Sequence, residues 1–197
     1  AYSLDGKLVA TAGFDDTVRL WDARTRRPLA VLKGHKKFVN GVEFSPDGSH
    51  LAASDMTGRV TLWDGGLRHR VAALPDTFRP SSGASLEAVS ALAFSPDGRT
   101  LAVGGSNGGL QLWDVATGQP IGGLLTTPGD AVYTLAFDSD GTTLYAGSAH
   151  VPLQRYDLDP AHALARVCAR TGGSGLSPAQ WRAYIPDTPF RRVCPSP

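Results

Sequence analysis

The chain has 197 residues, of which 42% are hydrophobic and 19% charged, and its 19 lysines and arginines against 18 acids leave a formal net charge of +1. This length allows one domain, or two small ones, with a substantial core. The near-neutral charge argues against a general nucleic-acid or acidic-membrane surface, which needs a clustered basic excess. The sequence has no apolar run long enough to cross a bilayer and begins without a signal segment.

A tight turn recurs at nearly constant spacing along the first 158 residues. Each copy ends in Asp-Gly, and Asp and Gly favour such turns. The dipeptide Trp-Asp, weakened once to Tyr-Asp, recurs in step, so both landmarks show intervals of 42, 50 and 43 residues. Two independent landmarks with one period indicate an internal repeat. The turns lie at 3–6, 45–48, 95–98 and 138–141, and the closing dipeptides begin at Trp21, Trp63, Trp113 and Tyr156.

Each repeat unit predicts four short strands. In the third unit an apolar strand, 89–94, precedes the Asp-Gly turn, and a hairpin pair at 101–103 and 110–113 follows it. A fourth strand, 120–124, closes the unit. A single four-stranded sheet cannot bury both of its faces, whereas successive sheets stacked around an axis can, which predicts an all-β propeller.

With this period and its Trp-Asp endings, the chain resembles the WD40 repeat family over residues 1–158. The resemblance implies a WD40-type β-propeller of about three and a half four-stranded blades, in a partial, open ring. Since propellers of this type usually have more blades, we expect the chain to be the C-terminal part of a longer propeller whose N-terminal blades are missing. The units span about 1–36, 37–86, 87–129 and 130–158.

The family also carries a Gly-His pair, seen here once at Gly34 and His35, and a buried network that joins this His to an Asp of the second turn and to the Trp. Counting six residues back from each closing aromatic gives Asp15, Thr57, Asn107 and His150. No complete network is therefore expected, and apolar packing should hold the blades. The repeat-structural residues on this interpretation are His35, Asp15, Trp21, Trp63, Trp113 and Tyr156.

Two features are candidates for a partner surface. Basic residues cluster around the first two blade junctions, and a polar insertion at 75–86 lengthens the second unit. The plainer interpretations are a solvated face and a tolerated surface loop, because lengthening a loop costs little. The candidate partner residues are Arg26, Arg27, Lys36, Lys37, Phe78 and Arg79.

After Asp157 the repeat gives way to a short helical and extended C-terminal extension, residues 159–197, expected to act as a cap. Asp159 followed by Pro160 is typical of a helix start, and Ser177 begins a second such pattern. Its Cys, Trp, Pro-Phe-Arg and Cys-Pro motifs resemble the extension that closes many bacterial multidomain WD40 proteins. Those proteins often place a STAND-type NTPase or a Ser/Thr kinase domain before the propeller.

Both cysteines of the sequence, Cys168 and Cys194, lie in this extension. A disulfide between them would close a loop, which is worth roughly 3 kcal/mol in the chain-entropy model. The alternative is two reduced thiols, as expected in a reducing cytosol. The expected compartment follows the same choice: cytoplasmic, or extracytoplasmic if the disulfide forms.

No residue pattern indicates a catalytic, cofactor-binding or metal site. The five histidines are dispersed, the repeated acids are turn formers, and the glycine-rich stretch 104–109 lacks the Gly-Lys-Ser/Thr ending of a phosphate loop. The sequence therefore predicts a non-catalytic protein-interaction, scaffold or sensor module with a protein or peptide partner, without nucleic acid or membrane insertion. The alternatives are a purely structural cap of a longer propeller and a propeller enzyme with a loop-borne site.

Overall fold

The computed structural model describes residues 1–66, 69–74, 78, 87–126, 130–170, 177–179 and 194. Most of the predicted insertion 75–86, including Arg79, and most of the extension after residue 170 therefore lie outside the described residues. The elements within the described ranges are β1 Leu8–Ala12, β2 Val18–Asp22, β3 Pro28–Leu32, β4 Val39–Phe44, β5 His50–Asp55, β6 Val60–Asp64, β7 Arg70–Leu74, β8 Val89–Phe94, β9 Thr100–Gly105, β10 Gly109–Asp114, β11 Gln119–Thr126, β12 Val132–Phe137, β13 Thr143–Ser148, β14 Gln154–Asp157 and α1 Pro160–Arg170.

The strands form four antiparallel sheets in which sequence neighbours pair. Their orders are β1-β2-β3, β4-β5-β6-β7, β11-β10-β9-β8 and β12-β13-β14. These sheets confirm the predicted blades, with four strands in the second and third and three described strands in the first and fourth. The leading strands β4, β8 and β12 contact one another in chain order, so consecutive blades stack side by side.

Two side chains fasten one blade to the next. Asn40, the second residue of β4, donates its amide N–H to the carbonyl oxygen of Val89 in the third blade. Ser90, at the same position in β8, donates its hydroxyl to the carbonyl of Val132 in the fourth blade, at 2.7 Å. In both blades, the side chain that hydrogen-bonds to the next blade therefore occupies the same position of the leading strand.

The Asp-Gly turns organise themselves through local hydrogen bonds. In the second blade the Asp47 carboxylate accepts from the Ser45 hydroxyl at 2.6 Å and from the Ser49 amide at 3.0 Å. Gly48 has a φ of 70°, which favours glycine. The hydrogen bonds from Ser45 and Ser49 lower the pKa of Asp47 to about 2. These acids are turn formers, as the repeat predicts.

The chain divides into two compact units, residues 1–155 and 156–197. In the second unit the Asp159 carboxylate accepts from the amide of Ala161 at 2.8 Å, so it caps α1 where the sequence predicts a helix start. The Sγ atoms of Cys168 and Cys194 lie 2.12 Å apart, at bonding distance. No helix in the described part of the chain is long and apolar enough to cross a membrane.

Candidate functional site

A buried polar network crosses the second blade. The Trp63 indole donates to Thr61 Oγ1 at 3.2 Å, and Thr61 Oγ1 lies 2.8 Å from His35 Nε2. On its other side His35 Nδ1 lies 2.9 Å from Asp55 Oδ2. Because an ionised carboxylate only accepts, His35 Nδ1 donates to Asp55 and Nε2 accepts from Thr61. Every polar atom along this line has a partner.

The expectation that no complete network survives was therefore wrong. The acid is Asp55, the last residue of β5, which lies eight residues before Trp63 rather than six. Thr57, at the counted position, donates its hydroxyl to Asp55 at 2.6 Å. In the first blade Asp15 is exposed and forms an ion pair with Arg19, so it takes part in no such network among the described residues.

Asp55 also shapes the turn that follows it. Its Oδ1 accepts from the Thr57 amide at 2.9 Å, while Oδ2 faces His35. Burial of the carboxyl opposes its ionisation, but the hydrogen bonds from His35 and Thr57 outweigh burial and hold the pKa of Asp55 at about 2. The side chains of His35 and Asp55 are 1% and 0% exposed, so the pair is sealed from water.

The next two blades cap the same turn with an acid from another position. In the third blade the Glu87 carboxylate accepts from the amide of Asn107 at 2.7 Å, and Asn107 lies one 50-residue repeat after Thr57. In the fourth blade Asp130 accepts from the amide of His150, one 43-residue repeat further on. The turn thus keeps its acceptor although Asp55 has no acidic counterpart in these blades.

Phe78 is 6% exposed and belongs to the core shared by the second and third blades. Its ring lies over Gly105 and Gly109, where an added Cβ would come within 2.9 Å and 2.6 Å of it. The proposal of Phe78 as a partner-surface residue is therefore corrected: the large apolar side chain is buried because two glycines open a slot for it. In the third blade the indole nitrogen of Trp113 is buried without a hydrogen-bond partner among the described residues.

Three large apolar side chains, in contrast, face solvent at one end of the first two blades. Phe14, Phe38 and Met56 are 83%, 46% and 50% exposed. The rings of Phe14 and Phe38 meet edge to face, with their centroids 5.0 Å apart. We call these three residues the apolar cluster. Exposed aromatic groups of this kind are typical of protein contact sites.

Backbone hydrogen bonds hold the apolar cluster in place. The Val39 amide donates to the carbonyl of Gly13 at 3.2 Å, and the Met56 amide donates to the carbonyl of Phe38 at 3.2 Å. The β1–β2 turn, the β3–β4 loop and the β5–β6 turn are therefore tied together below the three side chains. This fixed base spares a partner part of the entropic cost of ordering the surface.

The fold does not require these apolar side chains. In the third blade the Ser106 amide donates to the carbonyl of Ala88 at 2.9 Å, which repeats the bond between Met56 and Phe38 with two small residues. In the fourth blade the corresponding residues are both alanine. Sequence reasoning missed the cluster, although comparing loop residues between repeats could have found it.

The predicted basic cluster is split by the structure. Lys36 and Lys37 are exposed in the β3–β4 loop, next to Phe38. Arg26 and Arg27 lie in the β2–β3 turn, at the opposite end of β2 from the turn that carries Phe14. Because the two pairs lie at opposite ends of the strands, they form two separate basic sites rather than one.

Comparison of the sequence with protein-family models supports the assignment of the four sheets as repeat blades. The WD domain, G-beta repeat model matches residues 1–22 and 26–64, and the model of the anaphase-promoting complex subunit 4 WD40 domain matches residues 67–138. The chain belongs to the WD40-repeat family. The matched ranges contain the whole apolar cluster and the complete network of the second WD40 blade.

Curated relatives match this WD40 chain over short stretches. Ribosome assembly protein 4 of Saccharomyces cerevisiae is 38% identical over 60 residues, which is 30% of this chain and 12% of that protein. ASTRA-associated protein 1 of Schizosaccharomyces pombe is 39% identical over 30% of this chain and 16% of its own length. Guanine nucleotide-binding protein subunit beta-like protein 1 of Mus musculus is 44% identical over 30% of this chain and 18% of its length. The chain thus aligns with less than a fifth of each relative.

The remaining WD40 landmark residues take structural positions. Trp21 donates its indole N–H to the Thr11 hydroxyl across the β1–β2 pair at 3.0 Å, and burial raises the pKa of the Tyr156 phenol in β14. Among the described residues no group of three or more His, Cys, Asp or Glu side chains could hold a metal ion.

Proposed function

We propose that this WD40 chain is a non-catalytic protein-interaction module that binds a protein partner at the apolar cluster. One observation carries the proposal: Phe14, Phe38 and Met56 are exposed on a fixed backbone base, while the same backbone bond forms in the third blade with Ala88 and Ser106. Exposed apolar side chains that the fold does not need are best explained by a contact.

The relatives support a scaffold role in general terms. Their names refer to ribosome assembly, to association with ASTRA and to a G-protein β-like subunit. We extend the proposal to the whole protein. We propose that this chain belongs to a larger bacterial scaffold or sensor protein that has further N-terminal blades and an upstream STAND-type NTPase or Ser/Thr kinase domain. Residues 1–158 would form the blades and 159–197 a C-terminal cap.

The test replaces the apolar cluster with residues that the third blade has at the same positions: Phe14→Ser, Phe38→Ala and Met56→Ser. Because the repeat tolerates small side chains there, the triple variant should fold, with a stability loss of about 1–2 kcal/mol from the lost contact between the Phe14 and Phe38 rings and the other surface changes. Cross-linking in the producing cells, followed by purification of the chain and mass spectrometry, should show partner proteins that the triple variant loses.

The matched control is Leu4→Ser, because Leu4 is 78% exposed and lies in the turn at the opposite end of the first blade. This variant should keep every partner. If the triple variant and the wild type capture the same proteins in equal amounts, the apolar cluster is not the binding site.

A further inference from the structure

We infer that the apolar cluster takes an acidic peptide segment of its partner, with an apolar side chain packed on Phe14 and Phe38 and carboxylates facing the cations beside them. This inference rests on the proposed function and adds the chemistry of the partner. The segments that carry Phe38 and Met56 supply those cations.

Cations surround one side of the apolar cluster. Lys36 and Lys37 are exposed in the β3–β4 loop, next to Phe38, and Arg59 lies in the same turn as Met56. None of these three cations forms an ion pair with another described residue.

The charges next to Phe14 are mixed, because Asp15, Asp16, Arg19 and Lys33 line one cavity. Asp15 is neutralised by its ion pair with Arg19, and Asp16 follows it in the same turn. The site is therefore asymmetric, with positive charge beside Phe38 and Met56 and mixed charge beside Phe14. A complementary ligand has its apolar group over the rings and its negative charges on the Phe38 side, which favours rapid and selective association.

A peptide satisfies this asymmetry better than a nucleic acid. A nucleic-acid strand carries a charge at every phosphate, so a strand that stacks on Phe14 also has to pass Asp16. A peptide can place its acids on one side of the apolar anchor. The formal net charge of +1 also leaves little general attraction for a polyanion.

The experiment selects displayed random peptides on the immobilised full chain and measures the selected peptides by fluorescence anisotropy. The selected peptides should combine an aromatic or Leu residue with Asp or Glu on one side of it. Lys36→Glu with Lys37→Glu should weaken their binding about tenfold, since each exposed charge contact contributes modestly and reversal turns attraction into repulsion. Added salt should weaken wild-type binding as well.

Arg26→Glu with Arg27→Glu is the matched control, because it makes the same charge change at the other end of the blade and should leave the affinity unchanged. The inference is overturned if selection yields no peptide, if the selected peptides lack acids, or if both double variants bind equally well. Binding of oligo-uridine with an affinity similar to that of the selected peptides would instead assign the site to single-stranded nucleic acid. These outcomes leave the proposed function standing, because that proposal depends on whether the apolar-cluster variant loses protein partners.

Discussion

The matched tryptophans of the second and third blades offer a direct measurement of what the buried network contributes. Trp63 and Trp113 are both buried, and each faces a fully buried leucine at the same register of its hairpin, Leu51 and Leu101. The Trp63 indole donates to Thr61, whereas the Trp113 indole has no partner among the described residues. Replacement by Phe removes the same atoms at both positions.

The two substitutions should therefore differ by the hydrogen bond. Both lose similar buried area and leave a similar cavity, so this contribution largely cancels in the comparison. Trp63→Phe also breaks the hydrogen bond from the indole to Thr61. Trp113→Phe instead removes an indole N–H that is buried without a hydrogen bond among the described residues, which costs the wild type about 1–3 kcal/mol. We expect Trp63→Phe to lower the free energy of unfolding by about 1–3 kcal/mol more than Trp113→Phe.

Urea unfolding of the full chain, with the disulfide state held constant, measures the difference. Equal m-values for the two variants would show that the unfolding reaction is the same, so that the shift in midpoint reports stability. Thr61→Val is the companion variant: it should be destabilising in the wild type and lose part of its effect once Trp63 is Phe, because the two changes share one bond. Equal losses for the two Trp→Phe variants would refute the reasoning.

Three further predictions concern single groups. Asp55 has a pKa of about 2 in the fold against an ordinary value of 3.8, so its ionised form stabilises the fold by about 2 kcal/mol above pH 4. In denaturant titrations the difference in unfolding free energy between the wild type and Asp55→Asn should vanish as the pH falls through 2, and a difference that stays constant with pH would contradict this. Glu87→Ala should destabilise the chain by about 1–3 kcal/mol by stripping the third-blade turn of its acceptor, whereas Lys37→Ala, at the same position of the second blade, should not. Thiol titration of the unfolded, unreduced protein should find no free thiol, and Cys168→Ser should cost roughly 3 kcal/mol; two free thiols would exclude the disulfide.

The repeat landmarks predict the blades well because their geometry is local. A turn such as 45–48 is closed by its own Ser and Asp side chains, and the flanking strands pair with their sequence neighbours. Each blade can therefore be derived from about forty residues. The same reasoning predicts Asp159 as the residue that caps the start of α1, since the capping bond spans two residues.

The network of the second blade could not be derived in this way. His35 reaches Asp55 and Thr61 across 20 and 26 residues, so sequence spacing does not show which acid it meets. Counting six residues back from Trp63 gives Thr57, whereas His35 contacts Asp55 at the end of β5. The burial of Phe78 does not follow from the sequence for a similar reason, because the slot above Gly105 and Gly109 exists only in the folded blade.

The way in which each blade caps its turn also decides the charge at the interaction end. In the second blade Asp55 supplies the acceptor from within β5, so position 37 is free to carry lysine. In the third and fourth blades Gly105 and Ser148 replace that acid, and the acceptor comes from Glu87 and Asp130, which occupy the position of Lys37. An acid that caps a turn cannot be exchanged for lysine without losing the cap. A lysine at the position of Lys37 is therefore compatible only with a blade whose capping acid lies inside the second strand, as Asp55 does. This explains why Lys37 and the network with His35 occur together in the second blade.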